Sequence, residues 1–362
     1  MQNRIIGVGV IGCGEIAQLM HLPFLHELPE FRIAGLCDLS PSTLMALGEH
    51  YGVGLRATDY HRLLVDPAVD AVVISTYDHA GVVADAIAAG KHVLVEKPLA
   101  FTAAEAAPLV AAADAKGVVA MVGYMKLYDP GFEVGLEHIR RAGKPWAIHV
   151  HDFAGRFDRY PALYTQHKGR DVPEEVLAAG RADAAARIEA MLGPSHAGYR
   201  DLYLMLLMLG SHDLAVMRGA FGAPTGVAYA RPISPTQLLA VLDYPDGVAC
   251  TIEIGFGTRY EWWDEWMAVY GVDSEIRIEF ANPYLRYAPA TVRLREAAGE
   301  APSERTIHAA QDTAFRREWM HFAACIRSGE APRTALSGGL HDLELAAAII
   351  HAMPALSQEA AR

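Results

Sequence analysis

From Ile5 to Gly123 the chain alternates short apolar runs with helical stretches, and that order admits little besides a parallel sheet covered by helices on both faces. Strands are predicted at residues 5–11, 31–37, 54–58, 71–75, 92–96 and 118–123. Their near-continuous apolar character is that of strands buried on both sides. Helices are predicted at 15–28, at 42–51 behind Pro41, at 80–89 closed by Gly90, and at 102–116 between a Thr102 cap and Gly117, with a helical turn at 60–64.

After Tyr128-Asp129-Pro130 the pattern changes. A helix at 131–141 leads to a strand at 146–154, and a helical stretch covers 173–219. Asp171 and Glu174 stand at capping-box spacing ahead of that stretch, with Pro173 where helix starts tolerate it. Strand-like runs then crowd together at 225–231, 237–244, 247–255, 266–271, 274–280 and 291–295, with turn signals at Asp246-Gly247 and at Val272-Asp273 behind Gly271. Short turns between consecutive strands imply an α+β domain with an open, mostly antiparallel sheet. The tail returns to helix at 314–328 and at 339–353, where Ser337 is the expected cap. The division expected is residues 1–125 and 126–362, with the tail helices packing back on the first domain. The charged, Ala-rich insertion 167–196 reads as either a lid or an oligomer arm.

At 362 residues there is material for two cores. Hydrophobic residues make up 52% and charged residues 20%, and the net charge of −12 argues against nucleic acid or an anionic membrane as partner. Cys13, Cys37, Cys250 and Cys325 lie far apart with no CxxC pair, which points to reduced thiols and a cytoplasmic setting. The polar start Met1-Gln2-Asn3-Arg4 runs straight into a strand pattern, and the apolar run 202–209 is too short to span a bilayer. The 16 histidines show no metal-ligand spacing, so no metal is expected.

Two glycine patterns overlap near the start. Gly7-Val8-Gly9-Val10-Ile11-Gly12 places its glycines inside a strand, where they form no loop. Gly12-Cys13-Gly14-Glu15-Ile16-Ala17 fits GxGxxA between strand and helix: Gly12 for the tight turn, Gly14 for close approach of a pyrophosphate, Ala17 for helix–strand packing. The helix N-terminus there offers N–H groups to phosphates. Asp38 ends the second strand, where an acid accepts hydrogen bonds from an adenosine ribose and repels a 2′-phosphate; NAD is therefore expected over NADP. The stretch His92-Val93-Leu94-Val95-Glu96-Lys97-Pro98 holds a lysine at the carboxyl end of a buried strand, the edge where open α/β sheets bind ligands. Lys97 is the first candidate for chemistry.

The chain resembles the Gfo/Idh/MocA oxidoreductases. The resemblance is carried by Val8–Ala17, Val95-Glu96-Lys97-Pro98-Leu99, Val122-Gly123-Tyr124-Met125, Gly210-Ser211-His212-Asp213 and the tail from Phe322 to Ser337. It implies an N-terminal Rossmann domain, a C-terminal α+β domain, and NAD(P)-linked oxidation or reduction of a sugar, polyol or related compound. Lys97 then corresponds to the family lysine beside the nicotinamide and the reacting hydroxyl, and His212 to the family's active-site histidine. Near nicotinamide, Lys97 would have a lowered pKa. Many members carry an aspartate four residues before that histidine; here the position is Met208, and Asp201 is about 16 Å away along a helix. Asp213 projects about 100° around the helix from His212.

The cofactor-binding set is therefore Gly12, Gly14, Glu15, Ile16, Ala17, Asp38, Ser75, Thr76, His79, Glu96 and Lys97. The substrate set is Lys97, Tyr124, His151, Tyr199, His212 and Asp213. Several have a plainer reading beside the functional one: His79 with Asp78 as a helix cap, Tyr124 as a packing residue, His151 on a solvated strand face, and Trp262, Trp263 and Trp266 as an aromatic core or interface. The leading expectation is a cytoplasmic NAD-dependent dehydrogenase or reductase acting on CH–OH groups of a carbohydrate or polyol. It would be a homo-dimer or homo-tetramer through the open sheet. The rivals are redox-neutral glycoside cleavage driven by transient oxidation, and a NAD-binding sensor without catalysis.

Overall fold

The structure, a computed structural model, describes residues 4–155, 161–256, 263–298 and 301–356. The chain forms two compact units: Met1–Tyr124 with Pro161–Arg187 and Phe315–Leu343, and Met125–Tyr160 with Ile188–Ala314 and Glu344–Arg362. The expected boundary at 125/126 separates the two sheets, but the first unit also takes residues 161–187 and most of the tail helix Ala314–Ser328.

The first unit is built on six parallel strands: β1 (Ile6–Ile11), β2 (Phe31–Cys37), β3 (Arg56–Ala57), β4 (Ala71–Ile74), β5 (His92–Val95) and β6 (Ala120–Val122). Their order is β3-β2-β1-β4-β5-β6, so the chain reverses direction across the sheet between β1 and β4. β1 and β4 are buried at every position, which explains their unbroken apolar sequences. Ser40 caps the helix Pro41–Tyr51 by accepting from the Thr43 amide, and Thr102 and Glu105 form a reciprocal capping box on Ala103–Lys116. The first helix carries a π-turn at Ala17–His21 that the sequence does not announce; His21 lies within it, fully buried.

The second unit carries eight strands: β7 (Ala147–Phe153), β8 (Gly226–Ser234), β9 (Gln237–Tyr244), β10 (Val248–Gly255), β11 (Asp264–Tyr270), β12 (Ser274–Glu279), β13 (Thr291–Ala298) and β14 (Ala301–His308). Their order is β14-β13-β12-β11-β7-β10-β9-β8, antiparallel except for the β7–β10 pair. Strand phase sets the layers. Ile148, Val150 and Asp152 of β7 are buried while His149 and His151 alternate with them on the other face. On that other face Glu275, Arg277, Glu279, Arg293 and Arg295 form a ladder of ion pairs.

Three expectations are corrected, and one strand is present that the sequence does not mark. The helical stretch 173–219 is not continuous: it divides into Glu174–Leu192, the turn Ala197–Tyr199, Arg200–Met205, a π-turn at Leu206–Gly210, and Ser211–Phe221. β14 carries no sequence signal, because almost every residue in it is exposed and no apolar alternation marks it. Ser337 does not cap the last helix, which already begins at Leu336. Asp171 accepts from the Ser42 amide at the start of a different helix, so its carboxylate does not close a capping box on its own. The run Ala197–Phe221 is long and apolar enough to cross a bilayer by length and composition, but 61% of its most apolar window is buried inside the structure.

Candidate functional site

The glycine turn after β1 is shaped as its sequence requires. Gly12 has φ +87, a conformation that disfavours side chains, and a Cβ there would lie 2.6 Å from the Ser75 backbone. Its N–H donates to the Cys37 carbonyl at 2.8 Å, and the Gly12 carbonyl accepts from the Ser75 hydroxyl at 2.7 Å. Gly14, by contrast, is exposed and has nothing within 4 Å of where a Cβ would stand. The loop is thus tied down at Gly12 and open at Gly14, with Glu15 and Ile16 starting the helix and Ala17 fully buried. Asp38 extends the same construction. One carboxylate oxygen accepts from the Cys13 amide and the other from the Ser40 amide, both at 2.8 Å. This fixes the acid at the end of β2 beside the loop.

At the far edge of β5, Lys97 is half-buried and followed by a cis bond to Pro98. The residues on either side of it are held by buried groups. Glu96 accepts from His21 Nε2 at 2.9 Å and from the Lys97 amide at 3.2 Å. The Trp319 indole, which can only donate, bonds His21 Nδ1 at 3.2 Å and so leaves the ring proton on Nε2, facing Glu96. Burial alone would raise the Glu96 carboxyl, but the His21 hydrogen bond and the Lys97 charge outweigh it and hold it below its ordinary range. The buried Glu318 is the opposite case: burial, then the charge of Glu96, push it well above the carboxylate range. Neither of its oxygens has a hydrogen-bond partner among the described residues. His79 is also buried, and burial lowers its pKa; its Nδ1–H donates to the Pro98 carbonyl at 2.6 Å. No side-chain hydrogen bond from His79 caps the helix it precedes. Thr76 turns its hydroxyl to the Asp78 carbonyl at 2.6 Å, and Tyr124 is buried just past β6.

The second unit contains a buried polar cluster that sequence reasoning missed. Asp152 on β7 and Glu265 on β11 are directly opposite each other, and with Asp213 their carboxyl oxygens lie within 4.8 Å of one another. Like charges in that register repel, so the group persists only if it is neutralised. Lys126 does part of this. It ion-pairs with Glu265, whose other oxygen accepts from the Trp263 indole at 2.7 Å, and its ammonium lies over the rings of Trp263 and Phe280 at 5.9 and 5.3 Å. Burial would lower the Lys126 pKa, but the charges of Glu265, Asp213 and Asp152 raise it above the usual value. The ammonium thus places one positive charge beside these three acids.

A proton supplies the rest. Neither oxygen of Asp152, nor Oδ2 of Asp213, has a donor among the described residues. Burial, then the neighbouring carboxylates, push Asp152 well up, and burial with Glu265 pushes Asp213 up to about 7. Two carboxyls in contact without a donor share a proton between them. The folded state therefore holds a proton that the unfolded chain, with an ordinary aspartate value of 3.8, has released. Stability from this cluster is present below that value and falls as pH rises through about 7. Asp213→Asn is expected to remove most of that fall. Thermal midpoints compared between about pH 5 and about pH 8 would show it as a flatter slope than wild type, and an unchanged slope would count against the shared proton.

His212 is half-buried and precedes Asp213 near the start of the helix Ser211–Phe221. The π-turn just before it corrects the plain α spacing used for Met208. Met208 lies inside that π-turn, so the plain α-helical spacing does not describe its relation to His212. His151 lies on the face opposite the cluster, between Glu253 at 3.3 Å and Asp264 at 3.2 Å and stacked on Trp266. The Tyr199 hydroxyl donates to the Pro354 carbonyl at 3.0 Å. Trp262 lies outside the described residues.

A parallel sheet of this order, with a glycine turn and an acid ending its first two strands, defines a dinucleotide-binding domain of the Rossmann class. Residues 6–124 match the model of the Gfo/Idh/MocA oxidoreductase family with the NAD-binding Rossmann fold. The chain is 26% identical over 222 residues to the uncharacterized oxidoreductase YrbE of Bacillus subtilis, covering 58% of this chain and 64% of that one. It is 35% identical over 148 residues to an inositol 2-dehydrogenase of Paracoccus denitrificans, covering 40% and 44%. The chain thus spans less than two thirds of the length of these curated relatives. Over nearly its whole length it has the fold of KijD10, a 3-ketoreductase from Actinomadura kijaniata solved with NADP and TDP-benzene (TM-score 0.74, 20% identity, 97% and 98% covered). It also shares the fold of the aldose-aldose oxidoreductase from Caulobacter crescentus (TM-score 0.74, 21% identity, 96% and 97% covered).

Proposed function

We propose that this protein is an NAD-dependent oxidoreductase that interconverts a hydroxyl and a keto carbon on a carbohydrate or polyol. The observation that carries the reading is one sheet edge bearing both a dinucleotide cradle and a fixed lysine. Gly12 and Gly14 supply the cradle, Asp38 the ribose acceptor, and Lys97 ends β5 with buried groups holding the residues on either side of it. The likeness to inositol 2-dehydrogenases supports a polyol or sugar as substrate class. The residues fit the cofactor: Gly14 leaves space for a pyrophosphate, the following helix offers its amides, and Asp38 keeps lone pairs for ribose hydroxyls. Its carboxylate disfavours a 2′-phosphate, which supports NAD over NADP.

When bound, nicotinamide supplies the hydride donor or acceptor. The protein's part is to orient and to move a proton. Lys97 exchanges the proton of the substrate hydroxyl, and its place at the end of a buried strand fixes where that proton goes. By the family resemblance, His212 polarises the reacting oxygen. Inositols, aldoses and sugar acids should be screened with NAD for a rise in near-ultraviolet nicotinamide absorbance. Net reduction of NAD is expected with at least one polyol or sugar. Substrate consumed with no net NADH would instead point to redox-neutral cleavage, and no turnover of any of them despite NAD binding would sink the catalytic reading.

A further inference from the structure

We propose that residues 167–171 are a strap that sets cofactor choice: Asp171, seated on the N-terminus of the helix Pro41–Tyr51 beside Asp38, takes the position a 2′-phosphate would need and tunes the adenosine end of the site for NAD. This rests on the dinucleotide reading above and adds a discriminating residue from a segment more than a hundred positions away in the chain.

The start of the helix after β2 is the natural anion site at the adenosine end of such a sheet, because its first amides have no partners within the helix. Here they have been given one. The Ser42 amide donates to Asp171 Oδ2 at 2.8 Å, and the Ser40 hydroxyl donates to Oδ1 at 2.5 Å. Those two hydrogen bonds hold the Asp171 carboxyl at about 2, so it carries its charge at any working pH. Ser40 also donates its amide to Asp38 at 2.8 Å. Two carboxylates therefore flank one serine, and a phosphate placed there would meet both.

Asp171 is held there by the whole segment. The His167 amide donates to Gln18 Oε1 at 2.7 Å, while Gln18 Nε2 donates to the His167 carbonyl at 3.0 Å and to the Cys13 carbonyl of the glycine loop at 2.7 Å. Lys168 pairs with Glu15 at 3.3 Å, one residue past the open Gly14. The Gly169 amide donates to the Thr43 hydroxyl at 3.0 Å. A Cβ on Gly169 would stand 1.9 Å from Ser40 Oγ, so only glycine lets the backbone lie this close to the helix start. The strap thus brings a cation toward the phosphate end of the cradle and an anion to its ribose end. That is the charge pattern of a site for NAD, whose ribose carries no phosphate.

The test is equilibrium binding, read from nicotinamide fluorescence, of NADH and NADPH to wild type, Asp171→Asn, Asp171→Ala and Gly169→Val. Wild type is expected to favour NADH. Both Asp171 variants should shift the NADH/NADPH affinity ratio toward NADPH by about tenfold, chiefly through tighter NADPH, because a charge facing the phosphate is removed. Gly169→Val lifts the strap and should shift the ratio the same way while weakening NADH. Asp171 is exposed, so its variants are expected to keep the wild-type circular dichroism. A ratio unchanged in both Asp171 variants, with NADH still bound by all, overturns the strap and leaves the dinucleotide reading standing. A wild type that favours NADPH also overturns the strap. A wild type that binds neither nucleotide overturns the reading beneath it, and the strap with it.

Discussion

Lys97→Ala is expected to lower kcat by roughly a thousandfold while NAD affinity stays within about threefold of wild type, the signature of a lost proton-transfer group rather than a lost binding contact. The argument is positional. Glu96 before it is anchored by His21, and the Pro98 carbonyl after it is anchored by His79, so two buried imidazoles from different elements fix the backbone around one half-buried lysine. Holding a backbone that firmly has little purpose for a lysine that only solvates a surface. Lys97→Arg should be nearly as inactive, because a guanidinium keeps its charge yet does not give up its proton in the working range. The pair separates charge from proton exchange. If Lys97→Arg retained most of the turnover, the lysine would be an electrostatic anchor and the proton would travel elsewhere; normal turnover by Lys97→Ala would remove Lys97 from the chemistry altogether.

The parallel half of the molecule was legible because burial on both faces leaves its mark residue by residue. β2 falls on the residues expected of it, and the glycine turn is placed by the end of β1. Apolar alternation marks β9, and a charged-and-apolar stripe marks the helix Ala314–Ser328, at their observed bounds. What stayed hidden was of two kinds. β14 has no buried face and hence no period. Asp171 reaches a partner 131 positions away, and no local pattern reports such a pairing; its capping-box spacing suggested the wrong helix. The acid cluster is a different lesson, because its signal was present. Asp152 is in phase with Ile148 and Val150, and Glu265 with Met267 and Val269, so each strand turned an acid toward its own core. A charged residue on the apolar phase of a strand is a buried charge looking for a partner. Lys126, in the turn Met125–Tyr128, is that partner.

Breaking that partnership is expected to be strongly destabilising. Lys126→Met is expected to cost about 3–5 kcal/mol of stability, because removing one member of a buried ion pair leaves the other charged and unpaired. Lys126 is 3% exposed and Glu265 fully enclosed at its side chain, so water does not replace the lost ammonium. Glu265 would keep only the Trp263 indole, and the shared proton of Asp152 and Asp213 would lose the cation that now balances the third carboxylate. Glu265→Gln should cost less than Lys126→Met, since the remaining ammonium still has Asp152 and Asp213 nearby. The double variant Lys126→Met/Glu265→Gln should recover much of the loss, as neutral pairs of similar volume often replace buried ion pairs with little penalty. Denaturant midpoints for the wild type, both singles and the double give the coupling directly. A coupling energy of about 2 kcal/mol or more is expected; singles that cost under about 1 kcal/mol, or a double that is merely their sum, would mean the cluster is solvated in practice and that its three acids are balanced by water.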